Sequence, residues 1–245
     1  MLSSTSIAQD KKIPSGVYRW DELPVEKKAT GERRAIDEGN TTLLSYLEIH
    51  STTVGAGLAP HKPHSHEDEE LILVKEGTLN ITINGKSKIV GPGGIALMLS
   101  GEEHGMVNVG KTPATYYVMR YRGNGPLSHD RGVKAGGSIM LDYKDLKKNN
   151  HDKGYRIDYF NRPTSAVESF EMHVTSLKKG NVSHAAHTHV AEEIILITKG
   201  DTEMEIDGKF YKAPQGSLVF LASNDPHALK NLTDGDCEYF AFQWK

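Results

Sequence analysis

Residues 57–77 read GLAPHKPHSHEDEELILVKEG, and residues 180–200 read GNVSHAAHTHVAEEIILITKG. A shift of 123 residues superposes them, placing His61, His64, His66 and Glu70 on His184, His187, His189 and Glu193. The match extends outward. LEIHST (47–52) falls on FEMHVT (170–175), Gly85 on Gly208, His104 on His227 and Tyr116 on Tyr239. The register slips by one residue near Pro92 and Pro214 and recovers before the next histidines. The chain is therefore one unit written twice. The copies span residues 20–122 and 143–245. A Gly-rich linker lies at 123–142 and a flexible arm at 1–19.

Each copy reads as all-β. TLNITINGKSKIV alternates apolar and polar residues around Asn84-Gly85, and EMEIDGKFYK does so around Asp207-Gly208; both are hairpin signals. ELILV and EIILIT are short apolar runs suited to buried strands. GIALMLS and GSLVFLA are further strands, and TYYVMRY and EYFAFQW close each copy with aromatic residues. Short helices fit only near WDELPVEKK and YKDLKK. Many short strands with Gly-marked turns predict a small closed barrel or jelly roll in each copy.

The repeated histidines have the spacing of a metal site. Residues an even number apart share one face of a strand. His64, His66 and Glu70 are so related, as are His187, His189 and Glu193. A neighbouring strand can add His104 or His227. Three neutral imidazoles and a carboxylate suit Mn(II), Fe(II), Co(II), Ni(II), Cu(II) or Zn(II) and leave one or two positions open on a six-coordinate ion. His61 and His184 fall out of phase with their sets. They are expected at the barrel mouth, as substrate contacts or catalytic candidates. Glu69 and Glu192 neighbour ligands, so they face the other way and are expected as solvated rim carboxylates. Arg33, Arg156, Arg120 and Arg122 read either as clamps for a substrate carboxylate or as ordinary ion pairs.

Composition narrows the field. Lys plus Arg is 29 and Asp plus Glu is 32, a net charge of −3. That is no polycation and argues against sequence-independent nucleic-acid binding. No apolar run approaches the roughly 18 residues of a membrane span. The lone Cys237 excludes an intramolecular disulfide and a thiolate-rich zinc site, leaving the 12 histidines as the unusual count. Residues 1–10 have small residues, Ser6 and Ala8, at the −3 and −1 positions of a cleavage site before Gln9. They read either as the remnant of an export signal, placing the protein in the periplasm or outside the cell, or as a plain terminus, leaving it in the cytoplasm.

These stretches resemble the motifs of the cupin superfamily, and the duplication resembles a bicupin. The first cupin motif runs Gly, His-x-His, three or four residues, Glu, six residues, Gly; HSHEDEELILVKEG and HTHVAEEIILITKG fit it. The second, Pro-x-Gly followed by His and then Asn, is similar to PGGIALMLSGEEHGMVN (92–108) and PQGSLVFLASNDPHALKN (214–231). The resemblance implies tandem jelly-roll barrels with two metal sites per chain. These are His64, His66, Glu70 and His104, and His187, His189, Glu193 and His227. Mn or Fe is the usual ion, and Ni, Cu, Zn or Co less so.

Bicupins include dioxygenases, oxalate decarboxylases and isomerases. SHAAHTHVAEE is also similar to ureidoglycine aminohydrolase, whose ligands are Glu, His, His and Gln where this chain has His187, His189, Glu193 and His227. The resemblance thus implies a metalloenzyme acting on a small polar organic molecule, foremost a dioxygenase-type oxidoreductase. The alternatives are a non-redox isomerase, decarboxylase or aminohydrolase, and a non-catalytic binding cupin. A homodimer is the expected assembly, if any.

Overall fold

The computed structural model describes residues 11–245; the export-signal reading rests on residues 1–10 and lies outside them. The chain begins with β1 (Gly16–Tyr18), followed by β2 (Val25–Lys28), β3 (Gly31–Gly39) and β4 (Leu44–Val54). Next come β5 (Glu69–Glu76), β6 (Leu79–Ile83), β7 (Lys86–Val90), β8 (Ile95–Met98), β9 (His104–Asn108) and β10 (Ala114–Gly123). A short helix, α1 (His129–Lys134), leads to β11 (Ile139–Leu141). The second copy holds β12 (Lys148–His151), β13 (Gly154–Arg162), β14 (Phe170–Leu177), β15 (Glu192–Lys199) and β16 (Thr202–Ile206). It ends with β17 (Lys209–Ala213), β18 (Leu218–Leu221), β19 (His227–Asn231) and β20 (Cys237–Trp244).

Each barrel closes a seven-stranded sheet against a three-stranded one. The first has the order β11-β8-β5-β10-β4-β3-β2 facing β7-β6-β9; the second has β1-β18-β15-β20-β14-β13-β12 facing β17-β16-β19. The hairpin turns carry positive φ at both central residues, 46° and 75° at Asn84-Gly85 and 50° and 71° at Asp207-Gly208. That geometry matches the twist of the paired strands.

The large sheets are apolar on both faces. Ile72 and Val74 fill the first barrel, while Leu71 and Leu73 point outward. The outward residues meet Ile194, Leu196, Phe220, Phe242 and Trp244 of the second copy in one continuous seam. ELILV and EIILIT are unbroken apolar runs because one face lines a barrel and the other lines the seam.

Three sequence expectations change. The 123-residue offset never slips: Gly93 and Gly216, with φ of 77° and 89°, are the true counterparts, not Pro92 and Pro214. The arm at 1–19 is not free over its described part. Ile13 is fully buried, and β1 pairs with β18 of the second barrel. The linker at 123–142 likewise supplies β11, which pairs with β8 of the first barrel, along with α1. The segment before each copy thus completes the other copy's sheet, covering an edge that would otherwise expose unpaired backbone groups. At three residues each, GVY and IML, both strands are too short for a periodic pattern to mark them.

Candidate metal centre

The ligand sets are assembled by backbone pairing. His64 and His104 exchange backbone hydrogen bonds of 3.0 and 2.9 Å, and His187 and His227 do so at 3.2 and 3.1 Å. Each bridge brings the loop before β5 or β15 onto the start of β9 or β19. In each copy the imidazoles of His64, His66 and His104, or of His187, His189 and His227, present nitrogens within 4.8 Å of one another. Glu70 Oε2 lies 3.1 Å from His66 Nε2 and 3.8 Å from His104 Nε2. Glu193 Oε2 lies 3.4 Å from His189 and 3.3 Å from His227.

The imidazoles are oriented from behind. Nδ1 of His66 donates to Asp68 O at 3.0 Å, and Nδ1 of His104 donates to Glu102 O at 2.9 Å. His189 and His227 donate to Ala191 O and Asp225 O, each at 2.8 Å. A carbonyl at Nδ1 selects the tautomer whose Nε2 lone pair is free for a metal. Nε2 of His104, His189 and His227 is buried and has no well-aligned hydrogen-bond partner. Buried polar atoms are rarely left so, and a transition-metal ion would satisfy all of them; the donor set therefore fits one.

Electrostatics point the same way. Burial and the neighbouring imidazoles His61, His104 and His66 lower the pKa of His64. Burial and His184, His227 and His189 lower that of His187. Both rings are thus held in the neutral form that a ligand needs. His66 and His189 are raised, chiefly by their bonds to Glu70 and Glu193. Burial would raise the Glu193 carboxyl, but the imidazoles of His189 and His227, 3.4 and 3.3 Å away, together with Gln243, hold it at about 2. Glu70 is likewise lowered against its burial, by His66, His104 and Arg120.

The covering strands also pin these sites. Ser138, just before β11, accepts from Leu99 N at 2.8 Å and donates to Glu102, on the turn that carries His104. Its counterpart Ser15, just before β1, accepts from Ala222 N at 2.7 Å and donates to Asp225, on the turn that carries His227.

His61 and His184 are exposed and edge-on to a ligand, but strand alternation does not put them there. Residues 61–68 and 184–191 form the loops before β5 and β15, so the expected shared strand face of the histidines and the glutamate is replaced by a loop folded onto β9 or β19. His61 packs on His64 with ring centroids 4.4 Å apart, and His184 on His187 at 3.9 Å. Glu69 and Glu192 correct the rim expectation, since both are fully buried in the seam. Glu192 accepts from Thr42 N at 2.8 Å, from Trp244 Nε1 at 3.2 Å and from Thr41 Oγ1, and Glu69 accepts from Ser165 N at 2.8 Å. They face away from the metal set as alternation requires, but that face is covered by the other barrel. Arg33 and Arg156 are ion-paired, to Glu48 at 2.5 Å and Glu171 at 2.6 Å. Cys237 is buried, and burial raises its thiol pKa.

A cavity of about 500 Å³ opens over the first set, lined by His61, His64, His66 and Glu70 together with Arg33, Glu48, His50, Tyr116 and Arg120. Sequence reasoning passed over His50 and its counterpart His173, although LEIHST and FEMHVT already paired them. Each sits 3.1 Å from a carboxylate, Glu48 or Glu171, two residues before it on the same strand face.

A family model for the cupin domain matches residues 52–120 and 173–242, more than half of the chain. The chain belongs to the cupin family. Solved structures with this two-barrel fold include AerE from Microcystis aeruginosa, 14% identical with a TM-score of 0.72, the match covering 94% of this cupin and 98% of that chain. Protein Ylba from E. coli is 15% identical, with coverage of 95% and 91% and a TM-score of 0.70. The oxalate decarboxylase of Lactobacillus farciminis, solved as a formate complex, is 11% identical, with coverage of 97% and 88% and a TM-score of 0.70. No curated protein matches this chain in sequence. At these identities the structures speak for the fold. The chain is thus a bicupin with a histidine-rich group suited to a divalent metal in each barrel.

Proposed function

We propose that this bicupin is a metalloenzyme acting on a small polar organic molecule, with Mn or Fe as the ion and a dioxygenase-type oxidation as the reaction. One observation carries the reading: His64, His66 and Glu70 of the first ligand set lie in the wall of an open cavity large enough for a small substrate. His64, His66, Glu70 and His104 would hold the ion in the first barrel, and His187, His189, Glu193 and His227 in the second. When bound, the ion would supply Lewis acidity and a redox centre at open coordination positions.

The remaining cavity residues bind and orient. Arg33 and Arg120 share the Glu48 carboxylate, which burial would raise but which His50, Arg120 and Arg33 hold at a pKa of about 2. His61 narrows the mouth. His50 lines the same cavity, and its Nδ1 is buried 3.1 Å from Glu48 Oε1 with no well-aligned hydrogen-bond partner. An imidazole in the cavity wall beside the ligand set favours a second reading, a non-redox decarboxylase or isomerase, which needs a general acid or base near the ion.

Elemental analysis of the purified chain beside His64→Ala and His187→Ala variants tests the metal. Two equivalents in the wild type and one in each variant are expected. No metal under any loading condition would end both enzyme readings. Oxygen uptake with phenolic, enediol or diketone compounds then supports the dioxygenase, whereas turnover of a substrate without oxygen replaces it with the second reading. A melting shift with no product would leave a binding cupin.

A further inference from the structure

We infer that substrate recognition belongs to the first barrel and that Arg120 there selects a carboxylate-bearing molecule. This rests on the proposed reading of the ligand sets as metal sites, and it adds the substrate class and the barrel.

The two barrels differ in one part of otherwise matched walls. Arg120 lies directly across β10 from Glu70, and it lines the cavity. Its counterpart across from Glu193 is Gln243. The residue that holds Arg120 also changes. Asp68, with its side chain 1% exposed, pairs with Arg120 Nη2 and with Arg122 Nε, and its counterpart is Ala191. A buried carboxylate that grips two guanidiniums fixes the plane of Arg120 before any ligand arrives. Among the described residues Arg120 Nη1 is held by a 3.3 Å contact to Glu48, so the guanidinium keeps donor capacity toward the cavity.

Charge separates the barrels in the same sense. Around the first cavity Lys28, Arg33 and Arg120 stand against Glu32, Glu48 and Glu70. The corresponding positions in the second barrel hold His151, Arg156 and Gln243 against Tyr155, Glu171 and Glu193. With histidine neutral, three cations meet three anions in the first barrel, and one cation meets two anions in the second. The first cavity is one charge more positive. A partly desolvated, pre-oriented guanidinium recognises a carboxylate by charge-assisted hydrogen bonds that a glutamine amide cannot match.

The test uses the Mn(II)-loaded chain and two probes of similar shape, malonate and its uncharged diamide, malonamide, titrated by calorimetry. Mn content and melting temperature are measured first for each variant. The wild type is expected to bind one malonate per chain, at least tenfold more tightly than malonamide. The double variant D68A/R120Q writes the second barrel's residues into the first without stranding a buried carboxylate. It should keep both Mn equivalents and lose the tenfold preference. A191D/Q243R leaves the first barrel untouched and should gain a second malonate site; if D68A/R120Q fails to fold, this gain variant decides. Equal binding of the two probes by the wild type, an unchanged preference in D68A/R120Q, or no gain in A191D/Q243R overturns the inference. A chain that takes up neither Mn(II) nor Fe(II) overturns the proposed function as well, whereas one with two Mn equivalents and no charge preference overturns this inference alone.

Discussion

The two carboxylates of the two barrels sit differently among the same histidines. Glu70 leans toward His66, at 3.1 Å against 3.8 Å for His104, whereas Glu193 stands evenly between its partners at 3.4 and 3.3 Å. The backbones around them are copies, so the cause lies with the side chain across the sheet. In the first barrel that is Arg120, tied to Glu48 and Asp68. In the second it is Gln243, which hydrogen-bonds Glu193 directly. Duplication preserved the ligands and their backbone bridges, while the second ring of residues diverged. A ligand motif therefore reports that a site can hold an ion, and its neighbours decide what the site does with it.

The largest test of this comparison removes what each barrel borrows. A chain beginning at Trp20 loses Ile13, the β1 ladder on β18, and Ser15 on the turn that carries His227. Losing one fully buried isoleucine and several hydrogen bonds should cost about 4 kcal/mol of stability. The loss of β1 and Ser15 should fall on the second barrel, while the loss of the Lys11 and Ile13 bonds to Asn40 should loosen the end of β3 in the first. Hydrogen exchange should speed up in β15, β18 and β20, and metal affinity should drop at His187, His189 and His227. β5, β8 and the first metal site should keep wild-type values, because β11 still covers them. Equal loosening of both barrels would mean that the seam, rather than the exchanged strands, sets local stability.

A smaller effect separates Glu48 from Glu171. The Glu48 side chain is 10% exposed and bonded to Arg33, Arg120 and His50, whereas that of Glu171 is 27% exposed and lacks an arginine at the position of Arg120. The folded-state pKa of Glu48, about 2, lies below its ordinary 4.5. Its ionised form therefore stabilises the fold above pH 4.5, and that contribution is lost as pH falls toward 2. Glu48→Gln should cost up to about 3 kcal/mol at pH 7 and much less near pH 3. Glu171→Gln should cost under about 1 kcal/mol at pH 7. Urea unfolding of both variants at the two pH values checks the difference. A Glu48→Gln cost that does not change with pH would remove the electrostatic account.

The repeat, the barrels and the histidines were legible because each leaves a periodic or spaced trace. Apolar alternation marks the strands, Asn-Gly and Asp-Gly mark the hairpins, and the repeated His-x-His-x3-Glu spacing marks the ligand sets. What the sequence hid depends on the packing of one copy on the other. Glu69 and Glu192 look like rim residues until the other barrel covers them. Residues 16–18 and 139–141 are too short to read as strands until an open edge receives them. His50 and His173 were visible as a matched pair, yet only the closed barrel places each at the wall of a metal site. Asp68 carried no signal, because its partners lie more than 50 residues away on β10.

The finest distinction concerns the histidines at the mouths. His61 Nδ1 is bonded to Lys62 O at 3.0 Å and His184 Nδ1 to Ala185 O at 3.1 Å, so each ring is fixed without help from an ion. His184 packs closer to its ligand neighbour, at 3.9 Å against 4.4 Å, and also lies 6.2 Å from His227. If both rings act by holding a ligand imidazole in place, neither His61→Ala nor His184→Ala should remove an equivalent of metal. Each should weaken its own site by about 10- to 100-fold, the range of an orienting neighbour. The second barrel should lose more than the first, because its contact is tighter. Competition titrations against a chelator measure both losses. A variant that retains only one equivalent would make the mouth histidine a ligand in that barrel, and the two sites would then differ in their donors as well as in their surroundings.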